Sequence, residues 1–368
     1  MNTTFILPDT RPYPETPVKN TLLLNASSLA HSTSPAQRKL AAESLQTEIR
    51  GMLQQNHYLG LSVAMSMAAD ADSYRVLLNH LDSVLSAEND DEVQWFAMPL
   101  VLVAGCNQAQ NLPLPVPAAA LSACLEQHPH LRPLNRATWL PFLLPSTTVS
   151  SIKAGEWFQA KQNAQAAADF AAQFTPSELN LPDGQSVHVV FALGYGNAEI
   201  RTALNQNLQK AGLPLMQVWQ EALSAAGVTL FVNPLSPATP LHALTEGSHT
   251  RQRMAMDVFS TNAIRAIRLQ SPRVGVVAAA QQGGKILFGF NATDSAFELA
   301  PQIFTWTFSP TDHVGTVQQN FLDLMAECRV EHIYLLRDVL PENAELPTYA
   351  QALKSDGLNP FFSPLEER

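Results

Sequence analysis

Two stretches of the chain hold residue types that could recognise a ligand. In the first, Gly194-Tyr195-Gly196-Asn197 follows the apolar run Val187–Leu193 and leads into a polar segment from Ala198. A strand, a glycine turn and a helix start would place backbone N–H groups and the positive end of a helix dipole where a phosphate can bind. The dinucleotide pattern asks for a third glycine at position 199, and the chain has Glu199 there. A carboxylate in the first helical turn occupies the field an anion would use, so a structural turn outweighs a nucleotide cradle.

In the second stretch, Arg251, Arg253, Arg265, Arg268 and Arg273 fall within 23 residues that contain one acid, Asp257. At about 100° per residue the first four share one side of a helix. Met256, Phe259, Ala263 and Ile267 fall on the opposite side, where a core face belongs. Arginine suits carboxylate and phosphate recognition. On an acidic protein it also pairs with internal carboxylates or with a partner subunit, and that reading outweighs the ligand one. The candidate ligand-binding residues are therefore Tyr195, Asn197, Arg251, Arg253, Arg265 and Arg268.

Other chemistry finds less support. The chain has no Gly-x-Ser-x-Gly elbow and no phosphate loop ending in Gly-Lys-Ser or Gly-Lys-Thr. Its ten histidines form no His-x-x-x-His pair with an intervening Glu, and His128-Pro129-His130 sits in a proline-rich loop. Cys106, at a strand end, reads as a buried thiol rather than a nucleophile. No catalytic residue, metal ligand or cofactor is expected.

The C-terminal order of three strands, a helix and a strand resembles the opening of ribonuclease-H-like domains. The resemblance implies two metals held by carboxylates, the first on the opening strand. The strand Val274–Ala280 has no acid, and Asp338 stands by itself after the last strand, so a two-metal nuclease is not expected.

Composition narrows the partners. Of 368 residues 46% are hydrophobic and 15% charged, against roughly 25% charged in an average soluble domain. Such a chain can build large cores and has apolar surface to cover in an interface. The net charge of −10 disfavours nucleic acid, which needs a basic surface. Three scattered cysteines suggest a reducing compartment. With neither a signal-peptide core nor an apolar run of spanning length, a cytoplasmic protein away from membranes is expected.

The elements follow from periodicity. Residues 1–20 carry four prolines and read as an extended arm. Residues 21–178 read as mainly helical, with a Ser34-Pro35 helix start, a cap at Asp72-Ser73 and an alanine-rich helix from Trp157 to Phe174. Strands are expected over Glu92–Ala104 and Ala137–Leu144. Residues 179–240 form a strand–helix–helix–strand unit, and residues 241–368 an α+β unit of helix, three strands, helix and strand. The fold class is thus α/β (mixed α+β), a helical N-terminal region followed by one or two mixed-sheet units. The expected function is that of a non-enzymatic regulatory or scaffold protein acting through protein contacts, by self-association as a homodimer or with another protein. The alternative is a binding protein or enzyme for a small anionic ligand at the six residues named above.

Overall fold

A computed structural model describes residues 21–208, 210–281, 284–292, 302–330 and 332–336. The proposed arm over residues 1–20, Asp338 and the tail from Pro341 lie outside them. The fold is mixed α+β, with helices leading. The described residues divide into two compact units, one up to Gln252 and one from Arg253 on. Among the described residues no helix is long and apolar enough to cross a membrane.

The first unit opens with α1 (Thr21–His31), α2 (Pro35–Gln54), α3 (Tyr58–Ser66) and α4 (Ala71–Leu85). Ser34 caps α2, accepting the Gln37 N–H, with Pro35 at the first helical position. Asp70 caps α4 by accepting the Ser73 N–H at 2.7 Å, so this helix starts before the expected Asp72-Ser73. Leu45, Ile49 and Leu53 of α2 and Leu77, Leu81 and Val84 of α4 are buried, the stripes expected of amphipathic helices.

The rest of this unit comprises β1 (Gln94–Cys106), β2 (Gln110–Pro113), α5 (Ala118–Glu126), β3 (Thr138–Trp139), β4 (Leu144–Pro145), α6 (Ser146–Ser151), α7 (Ala154–Ala160), α8 (Ala164–Ala171), β5 (Glu178–Leu181), β6 (Gly184–Gly196), α9 (Gly212–Ala222) and β7 (Val228–Pro234). It ends inside α10 (Pro240–Arg268), where the division between units falls. The main sheet runs β3-β6-β1-β7, with β4 also on β6, and β1 is antiparallel to both of its neighbours. The expected strand Ala137–Leu144 is thus only two short pairings with β6. The alanine-rich segment is two helices, because Asn163 turns its side chain onto the Ala166 N–H at 2.9 Å and starts a new helix.

One face of this sheet presents Phe96, Met98, Leu100, Leu102, Val190, Ala192 and Val232 to Leu121 and Leu125 of α5 and to Leu215 and Trp219 of α9. On α10, Gly247 lies so close to Pro99, Val189 and Phe191 that a Cβ would sit 3.0–3.2 Å from them. That glycine lets a helix approach the sheet closely.

The second unit continues with the remainder of α10 and then β8 (Val274–Gln281), β9 (Lys285–Ala292), β10 (Gln302–Thr307), α11 (Val314–Glu327) and β11 (His332–Leu336). Its sheet runs β10-β9-β8-β11, antiparallel except that β11 lies parallel to β8. The crossover between those two passes through α11, as parallel pairing demands. Met256, Ala263 and Ile267 of α10 are buried with Ile286, Phe288 and Phe290 of β9 and Val317, Phe321 and Met325 of α11. Phe288 and Phe321 stack at 4.2 Å.

Candidate functional site

The glycine stretch is strand, not turn. β6 continues through Tyr195 and Gly196, which pair with Trp95 and Gln94 of β1. A Cβ on Gly194 would lie 2.7 Å from the Phe96 ring, and one on Gly196 would collide with Ile200. These glycines serve side-chain packing rather than a phosphate. Tyr195 is half-buried with its ring 4.7 Å from that of Trp95. Asn197 is exposed and begins a 3-10 helix of six residues, Ala198–Ala203, without a side-chain capping bond. Glu199 pairs with Arg136 at 2.9 Å on the surface.

The arginines of α10 each have their own setting. Arg251, half-buried, lies near His188, whose pKa is lowered first by burial and then by that positive charge. The His188 ring also meets Ser186 Oγ at 2.9 Å. Arg253 is exposed and sits near Asp257, whose carboxyl is pushed up by burial against the pull of Arg253. Arg265 is exposed. Arg268 donates to the carbonyls of Cys328 and Arg329 at 2.8 and 2.9 Å, capping the end of α11. Among the described residues no hydrogen bond or ion pair joins Tyr195, Asn197, Arg251, Arg253, Arg265 and Arg268 to one another.

Cys106 is buried in a small cluster with Leu112 and Leu181. The rings of His128 and His130 lie 6.1 Å apart. Among the described residues, no three His, Cys, Asp or Glu side chains are grouped so as to hold a metal.

Three features escaped the sequence. Asp82 of α4 is buried, and burial raises its pKa against the opposing effects of Thr239 and His242. Its Oδ2 accepts the Thr239 hydroxyl at 2.6 Å and lies 3.7 Å from His242 Nε2, while Oδ1 is buried without a partner. Thr239 immediately precedes α10 and His242 lies in its first turn, so the carboxyl sits at the positive end of a 29-residue helix. This arrangement anchors α10 to α4. A separation of 157 residues leaves no spacing to read.

The second feature is α3. From Gly51 to Ala69 the chain has no Asp, Glu, Lys or Arg, yet Leu59 is 80% and Val63 43% exposed. The apolar run was legible, but its exposure was not.

The third is a groove of about 720 Å³ in the first unit. Pro113, Pro115, Pro141 and Pro176 line it with Leu114 and Phe142, and Ser177 and Glu178 supply its polar groups. A bridge between Pro115 and Phe142 holds two of its walls together. The signal was present as clustered prolines, which read as loops.

Compared with protein-family models, with curated proteins and with solved structures, the chain finds no match.

Proposed function

We propose that the protein is a non-enzymatic regulatory or scaffold protein acting through protein contacts, and that it forms a homodimer through α3. The observation that carries this reading is the outward side of α3. A helix without charge is ordinarily covered all round, whereas Leu59 and Val63, one turn apart, stand in solvent.

Ser62 and Ser66 are exposed on the same helix. Their hydroxyls bond within it, Ser62 to the Tyr58 carbonyl at 3.1 Å and Ser66 to the Val63 carbonyl at 2.8 Å. They therefore make no polar demand on a partner, and act as shallow positions beside the ridge of Leu59 and Val63. A second copy related by a two-fold axis can set its ridge into that row, the self-complementarity an isologous interface requires.

Placing a cysteine on this face tests the reading. Ser62→Cys under mild oxidation is expected to give a disulfide-linked dimer on a non-reducing gel. The native chain, with Cys106 and Cys124 buried and Cys328 half-buried, is the control. A Ser62→Cys protein that stays monomeric would sink the proposal.

A further inference from the structure

The proline-lined groove is independent of α3 and has a chemistry of its own. Its volume of about 720 Å³ falls in the range of about 300–1,000 Å³ usual for small-molecule sites. Four of its eight lining residues are prolines, which have no backbone N–H to donate. The carbonyls of Leu114 and Pro141 already accept from Leu143 and Val116 at 2.7 and 3.0 Å. An occupant therefore meets mainly rings and aliphatic surface, with four of the eight lining residues unable to donate a backbone N–H.

Two side chains complete the lining. Glu178 is exposed and, among the described residues, forms no ion pair, so the one charge presented to the groove is negative. The Ser177 hydroxyl is covered and has no hydrogen-bond partner. An unmade bond of that kind is unfavourable, and a donor brought into the groove beside it would relieve the cost.

The geometry points to a site for a small apolar molecule carrying an ammonium group, the apolar body lying among Pro113, Pro115, Phe142 and Pro176 and the N–H donors meeting Glu178 and Ser177. A carboxylate or phosphate would meet a like charge and few donors. A neutral apolar molecule would leave Glu178 without a counter-charge. Because Glu178 is solvated, apolar burial supplies most of the affinity, and the charge contributes selectivity of about fivefold, the upper end for an exposed ion pair.

Titrating the full-length chain with n-octylammonium, octanol and octanoate below their micellar concentrations, read by calorimetry and by Tm, tests this. Octylammonium is expected to bind about five times more tightly than octanoate, with the difference reduced to about twofold in Glu178→Gln. Ser177→Ala is expected to weaken octylammonium. Equal binding of all three probes, no binding of octylammonium, or an unaltered preference in Glu178→Gln would each overturn the assignment. A Leu59→Glu background that abolishes self-association is expected to leave the titrations unaltered, so failure here and failure of the dimer reading are separate results.

Discussion

The sheet of the first unit and the sheet of the second differ in how far along the chain a strand finds its neighbour. Leu100 of β1 pairs with Val190 of β6, and on its other side with Pro234 of β7. Ala279 of β8 pairs with Leu287 of β9 across a short hairpin. Distant pairing costs loop-closure entropy before any contact forms, whereas a hairpin closes locally. The first sheet is therefore closed by distant pairing, with β1 bonded along both edges. The second begins from local order and adds β11 through a single helix crossover.

The largest test of that difference is to remove buried volume from the central strand. Leu100→Ala is expected to cost about 2–5 kcal/mol in urea unfolding, while Thr305→Ala on the exposed side of β10 changes stability by no more than about 0.5 kcal/mol. Comparable costs at the two positions would remove the contrast. Pulse-labelled hydrogen exchange sharpens it, since β8 and β9 amides are expected to gain protection before those of β1 and β6.

A smaller effect is expected at the glycines of β6. Gly194→Ala forces a methyl against Phe96, and overpacking of this kind costs about 1–3 kcal/mol. A neutral result in thermal unfolding would mean that the strand end yields, as a turn would.

The same contrast explains what the sequence made legible. Ser34-Pro35 and the core side of Met256, Ala263 and Ile267 are local signals, and both stand in the structure as read. The glycine turn failed because Gln94, about a hundred residues away, pairs with Gly196 and continues the strand. The single alanine helix failed because one side-chain cap at Asn163 outweighed the propensity of its neighbours. The union of Asp82 with Thr239 and His242, the exposure of Leu59 and the groove all depend on tertiary assembly, which no periodicity encodes.

The smallest expected effects are titrations, and both concern the first unit. Asp82 has a raised pKa through burial, so its folded form holds the proton more tightly than the unfolded chain. Stability from this group declines as pH rises from about 3.8 through the higher folded value. His188 has a lowered pKa, through burial and then Arg251, so stability is lost as pH falls from about 6.5 toward the folded value. Asp82→Asn is expected to remove the first slope and His188→Gln the second, as read by Tm against pH. Slopes of opposite sign would contradict these environments.

If α3 is a dimer face, the mass of the 368-residue chain in solution by light scattering shows it. Twice 40.1 kDa is expected for the native chain. Leu59→Glu/Val63→Glu is expected to show the single mass of 40.1 kDa with unchanged circular dichroism. A native chain that stays at 40.1 kDa as concentration is raised, or a double variant that remains dimeric, would contradict it.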